Sequence, residues 1–348
     1  MPVTSKAEVA QPFAVSSEVP AGAASPSVLA DAQVASREWR KVHQLALKHL
    51  DRFISLESKV LQGDNREAVH DMRVASRRLQ QVLDLIYPPP AKEVARLRRK
   101  IRRSRRVLSE VRNCDVQLDR VEKILASKRI TRREAWEAVR EYLTELRGKA
   151  FDKALNRLSK VNLAVFYVRL KSHLNSNGVH PYAGTDSVSV LPTEEFYQRI
   201  HEGLETVWGD FEKRIEESHH DSQPGAIHGA RIAAKRLRYA VEVIREFNVA
   251  GTESTLIWLR NLQQHLGEWH DLEVLEDMMI EMLARPAFLR HHLEVAMEVE
   301  RLILHNRTVK KTYLERYTRM TRDTAGMDRV RHWVNQTLAA PPEVFAAA

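Results

Sequence analysis

The chain has 348 residues, enough for one large or two medium domains with a real core. Gly and Pro are scarce, at 12 and 13, and no stretch alternates as a half-buried strand would, which excludes a sheet protein and favours helices. The net charge of +9 coexists with 46 acidic residues, so the chain is a folded body with excess cation and expects an anionic partner.

Residues 1–35 are rich in Ala, Val, Ser and Pro without sustained periodicity and are expected to be disordered. They carry Lys6 against Glu8, Glu18 and Asp31, so the remainder is more basic than the whole. From Ser36, apolar residues such as Trp39, Val42, Leu45, Ala46, Leu50 and Phe53 recur mostly at spacings of three and four, which predicts an amphipathic helix up to Gly63-Asp64. Asp64 with Glu67 resembles a capping box opening a second helix, which Pro88-Pro89-Pro90 stops after about Tyr87. A third helix is predicted from near Lys92 to beyond Leu118, a fourth from about Thr131 to Lys160 and a fifth from Leu163 to Leu174. Residues 175–192, with Asn-Gly, His-Pro and Ala-Gly, read as a linker. Thr193 then opens a helix to about Glu217, and Gln223-Pro224-Gly225 separates it from a helix ending near Phe247. Ala250-Gly251 precedes a helix containing LQQHLGEWHDLEVLEDMM, and beyond Arg285-Pro286 a last helix runs to about Met320. Residues 325–348 are left as a C-terminal tail. The expected fold is all-α, with two four-helix units at 36–174 and 193–324.

The plan repeats because the sequence does. VHDMRVASRRL, Val69 to Leu79, returns 158 residues later as IHGARIAAKRL, Ile227 to Leu237. The ungapped offset also pairs His43 with His201, Phe53 with Phe211, Leu108 with Leu266, Glu110 with Glu268 and Val116 with Val274. An internal duplication of one helical unit follows. At about 100° per residue, His70, Arg73 and Arg77 fall on one stripe, opposite Met72, Ala75, Leu79 and Leu83. Arg78 flanks it. His228, Arg231 and Lys235 form the matching stripe, extended by Arg238. Cations so stacked repel one another, and Asp84 and Glu242 could relieve only part of that. A merely solvated face would be free to drift between copies, yet the histidine and two arginine positions are unchanged. Retention within one chain points to phosphate, which guanidinium forks bind and ammonium groups attract.

A second basic element exists only in the first half. RLRRKIRRSRR, Arg96 to Arg106, holds eight cations in eleven residues and no acid, whereas its counterpart, Ser254 to Gln264, holds only Arg260. Arg99, Arg102, Arg103 and Arg106 should fan over the face away from Leu97 and Ile101, with Arg98 and Arg105 at its edge.

These residues resemble the CHAD family, the conserved histidine α-helical domain. The resemblance rests on VHDMRVASRRL and IHGARIAAKRLRYAVE, each followed by the family's L-G-x-x-x-D type of segment, here LSEVRNCDV and LGEWHDLEV. It covers about Ser36 to Thr324. It implies two four-helix bundles related by a pseudo-twofold, with basic residues lining a central groove or pore that binds inorganic polyphosphate. The positions it carries over are His70, Arg73, Arg77, Arg78, His228, Arg231, Lys235, Arg236 and Arg238. Arg98, Arg99, Arg102, Arg103, Arg105 and Arg106 join them on charge. Ser109 stands where Gly is common in the family and Asn113 where Asp is frequent; both lie in a segment read as structural.

Other signals are set aside. His270-Asp271 with Glu268 and Glu273 could suggest a metal, but the equivalent Arg112 and Asn113 are poor ligands, so no metal is expected. His219-His220 and His291-His292 lack ligand spacing on one face. Glu298-Val299-Glu300 lacks the lysine of a triphosphate-tunnel strand, and no phosphate-cradling Gly-rich loop occurs. Neither a nucleophile–base pair nor a carboxylate trio is apparent, so no catalytic residue and no cofactor are expected. Cys114 excludes an intramolecular disulfide framework and fits a reducing compartment. No apolar run approaches the roughly 20 residues that span a bilayer. No secretory h-region is visible, so the expected location is cytoplasmic, with polyphosphate granules as a candidate site. The leading reading is non-enzymatic polyphosphate binding. The alternatives are a helical nucleic-acid binder, weakened by the lack of aromatics among the cations, and an accessory domain of phosphoanhydride metabolism. Oligomeric state is not legible.

Overall fold

The computed structural model describes residues 26–63, 65–86, 92–175, 193–221, 223–322 and 325–340. They are helical, with no strand among them. In chain order the helices are α1 Pro26–Ser55, α2 Glu57–Gln62, α3 Arg66–Ile86, α4 Lys92–Val107, α5 Ser109–Leu125, α6 Arg133–Leu158 and α7 Leu163–Asn175. There follow α8 Thr193–His220, α9 Pro224–Arg245, α10 Thr252–Leu283, α11 Pro286–His291, α12 Leu293–Thr321 and α13 Ala325–Ala339. A 3-10 turn, Ser159–Val161, joins α6 to α7.

Several boundaries differ from the periodicity, each for a local reason. The segment expected to be disordered is helical from Pro26, and residues 1–25 and the linker from 176 to 192 lie outside the described residues. Asp64 also lies outside them; α3 is capped by Asn65, whose Oδ1 accepts the Ala68 N–H at 2.8 Å. The single helix expected from Lys92 past Leu118 is two, broken at Leu108. Pro224 and Gly225 do not separate helices but begin α9, because proline at the first helical position loses no hydrogen bond. Beyond Thr324, the residues left as a tail form α13, which buries Met327, Val330, Trp333 and Val334.

Two glycines set turns that apolar periodicity cannot specify. Gly63 ends α2 at φ +83°, and a Cβ there would lie 2.6 Å from the Phe151 ring. Gly251 precedes α10 at φ +79°, where a Cβ would lie 2.8 Å from Trp333. The Trp333 indole donates to the Ala250 carbonyl at 2.8 Å, so α13 is docked on the α9–α10 turn.

The cores do not divide as the sequence halves do. The larger joins Phe53 of α1, Leu79 of α3, Ile101 of α4 and Phe166 of α7 to Phe211 of α8, Leu237 of α9, Leu259 of α10 and Trp333 of α13. The smaller packs Leu118 of α5 and Leu143 of α6 against Met279 of α10 and Val299 of α12. Both cores therefore cross the halves and set α3 beside α9. Cys114 is buried at 1% exposure, as a small core residue.

Candidate anion-binding site

Each cationic helix buries an apolar stripe and turns its charged stripe towards the other half. Met72, Leu79 and Leu83 of α3 are fully buried, as are Ala230, Ala234 and Leu237 of α9. His70, Arg73, Arg77, His228, Arg231 and Lys235 are half-buried rather than fully exposed. Arg77 on α3 acts electrostatically on Arg231 and Lys235 of α9, and Arg231 acts on Arg73. The two stripes thus share one cationic field.

Burial, then repulsion led by Arg77, Arg105, Arg112 and Arg231, pulls Arg73 down to about 9. Burial and Arg77 take Arg105 to about 10. Arg231 also falls to about 10, through burial, with Asp271 opposing and Arg77 adding. Lys235 is driven well below its ordinary value by burial, then Arg231 and Arg77. Arginine keeps its proton in proteins, so these shifts mark buried cations set beside other cations, with Asp84 and Asp271 offsetting part of the repulsion. Buried guanidinium nitrogens of Arg105, Arg112 and Arg231 find no hydrogen-bond partner among the described residues. Buried polar groups are costly in that state, and phosphate oxygens would satisfy them.

The histidines share this field. His70 is lowered by burial and then by Arg112, against Glu67 and Asp71, with Arg77 adding. His228 is lowered by burial, Arg231 and Lys235. Its ring lies 5.1 Å from that of His270, centroid to centroid. His270 is pulled to about 3 by burial, Arg231, His228 and Lys235.

Not every expected site residue joins this field. Arg98 is buried and ties α4 to α3, with Nε 2.8 Å from Asp84 and Nη2 donating to the Leu83 carbonyl at 2.6 Å. Arg236 is exposed and pairs with Asp210 of α8 at 3.1 Å. Arg78 and Arg238, from opposite halves, share Glu242 at 3.2 and 3.4 Å. Arg78, His49, Arg52 and Glu242 line a neighbouring cavity of about 420 Å³. Arg105 shares the cationic field and Arg102 adds to it, but Arg99, Arg103 and Arg106 are exposed on the outer side of α4.

Ser109, Arg112, Tyr239, His270 and Asp271 also interact with these cations, which was not expected of them. Arg73 donates to the Arg105 carbonyl at 2.5 Å and to Ser109 Oγ at 2.7 Å, so the α4–α5 break orients one of these arginines. Tyr239 acts electrostatically on both Arg105 and Arg231. The signal for Arg112 and His270 was the offset itself, which makes them equivalents beside His70 and His228. Among the described residues, no three His, Cys, Asp or Glu side chains gather as a metal site.

The CHAD domain model matches residues 44–280, a span that contains both cationic helices. The chain belongs to the CHAD domain family. That family is linked to polyphosphate and triphosphate binding. The fold of this CHAD domain is similar to the crystal structure of the CHAD domain from the plant Ricinus communis, with TM-score 0.51 and 22% identity over 88% of this chain and 92% of that one. It is also similar to PptA from Streptomyces chartreusis, with TM-score 0.53 and 14% identity over 80% and 97% of the two chains. No curated protein matches the chain. No described helix of this CHAD domain is long and apolar enough to cross a membrane.

Proposed function

We propose that this CHAD domain binds inorganic polyphosphate in the groove between α3 and α9 and does not catalyse its turnover. The observation that carries the reading is buried, mutually repelling cation from both halves, with Arg73, Arg77, Arg105, Arg231 and Lys235 in one field and Asp271 the acid acting on Arg231 and Lys235. A linear polyanion relieves that repulsion along the whole groove. A chain bearing negative charge on every unit suits a row of arginines better than a ligand that also needs base contacts. Association with polyphosphate granules would follow from the ligand and is checked by colocalisation in cells.

The test is a titration with long-chain polyphosphate against a variant combining Arg77→Gln and Arg231→Gln. Each lost charge-assisted contact is worth about 1.5–3 kcal/mol, so affinity should fall by about a hundredfold or more. The unliganded variant should unfold at a higher temperature than wild type, because Arg77 repels Arg73, Arg105, Arg231 and Lys235. Opposite signs for binding and stability separate a lost site from a lost fold. Unchanged affinity ends this reading, as does stronger competition from single-stranded DNA of equal charge. Incubation of polyphosphate and Mg²⁺ with the wild type should release no orthophosphate.

A further inference from the structure

Helix α4 carries two basic faces, and one of them lies outside the groove. Counting about 100° per residue from Arg105, Arg102 falls near 60°, and Arg106, Arg99 and Arg103 fall between about 100° and 160°. Leu97, Ile101, Ser104 and Leu108 are buried on the other side. Arg99, Arg102, Arg103 and Arg106 are exposed, and none of them makes an ion pair among the described residues. These four arginines lie within two turns of one helix, so the outer face of α4 concentrates exposed cations that no carboxylate pairs among the described residues. Its like charges at spacings of three and four repel along the helix, which stays folded because Arg98 and the apolar stripe anchor it to α3.

We infer that this outer face is a track for the part of a polyphosphate chain that the groove does not hold. The inference rests on the polyphosphate reading of the groove and adds a preference for long chains. Arg105 stands in the groove field, Arg102 acts on it from the rim, and Arg99, Arg106 and Arg103 continue the arc outward. The basic surface thus leaves the groove without an intervening acid on α4. From Arg99 to Arg106 it covers about 10 Å along the axis, room for several phosphate units. No residue from Arg96 to Arg106 is aromatic, so a base would find no stacking platform on this segment. The counterpart in the second half offers no such track: Leu256, Leu259 and Leu262 are buried and Arg260 is paired.

The experiment compares tripolyphosphate with long-chain polyphosphate on a variant combining Arg99→Gln, Arg103→Gln and Arg106→Gln. Long-chain affinity at low salt should fall by about tenfold, and the logarithmic salt slope should drop by about 2–3, as expected for three lost phosphate contacts. Tripolyphosphate, short enough to stay in the groove, should bind as to wild type. Circular dichroism and the unfolding temperature should show an intact fold. Unchanged long-chain affinity overturns the inference. So does an equal loss for both ligands, or a loss confined to single-stranded DNA. Failure of the groove reading would appear separately, as a wild-type protein that binds neither polyphosphate.

Discussion

The two copies of the cationic helix carry the same stripe among different neighbours. Beside His70 stands Arg112, a permanent cation; at the equivalent place beside His228 stands His270, which burial and Arg231 hold neutral. Arg73 is oriented by Ser109 Oγ and the Arg105 carbonyl where α4 meets α5. The position equivalent to Ser109 is Gly267, and Arg231 Nε has no hydrogen-bond partner among the described residues. The first copy is broken into α4 and α5 and brings the arginine run; the second is the unbroken α10. The sequence repeat thus keeps the stripe, while the group beside each histidine differs: a fixed cation, Arg112, in the first half and a second imidazole, His270, in the second.

The largest test of that asymmetry concerns Asp115 and its equivalent Glu273. Asp115, with a side chain 0% exposed, pairs with Arg147 at 2.6 Å; its equivalent Glu273, 22% exposed, pairs with Lys310, which Glu276 also holds at 2.6 Å. Asp115→Ala leaves Arg147 half-buried beside the Gly63 carbonyl and should cost about 3–5 kcal/mol of stability. Glu273→Gln leaves Lys310 its second partner and should cost about 1 kcal/mol or less. Urea unfolding of both variants decides it, and equal losses would show that the halves are braced alike.

A smaller effect is expected with pH. His70, His228 and His270 are all shifted below the ordinary value of about 6.5, so the unfolded chain takes up more protons than the folded one. Their contribution to stability is present above that value and is lost as pH falls towards the folded values. Bound phosphate reverses the field on the imidazoles, so binding should strengthen between about pH 8 and 6 with proton uptake. Calorimetry in buffers of different ionisation enthalpy counts those protons. Replacing His228 and His270 together by Gln should remove more of the uptake than His70→Gln, since Arg112 stays charged at every pH. An equal reduction by the two variants would contradict a proton-dependent second half.

The smallest effect is expected at Gly267. A Cβ there has open space around it, so Gly267→Ser should fold normally. If Ser109 orients Arg73, the new hydroxyl should do the same for Arg231 and improve polyphosphate affinity by about twofold to fivefold, within the range of one modest hydrogen bond. An affinity at or below wild type would restrict that role to the broken helix of the first half.

Local patterns made much of this protein legible. Spacings of three and four marked α3 and α9, because an amphipathic helix declares its buried face within two turns. The offset of 158 residues made the stripes and their equivalents visible without any structure. Less legible was α13, whose buried residues gain their meaning only against Gly251 and α10. The segment around Ser109 read as structural, and only the tertiary structure shows its hydroxyl accepting from Arg73.

The sequence by itself determined an all-α chain with two copies of a cationic helix, because helical period and composition are local properties. Only the tertiary structure decided what covers the charged side of each helix. Periodicity cannot distinguish a stripe bathed in water from one half-buried in the field of a second stripe. It also could not tell that Arg98 is spent on the Leu83 carbonyl and Asp84, or Arg236 on Asp210, whereas Arg73, Arg77, Arg231 and Lys235 remain in one field. Those outcomes depend on residues tens or hundreds of positions apart, whose proximity is set by how the cores pack.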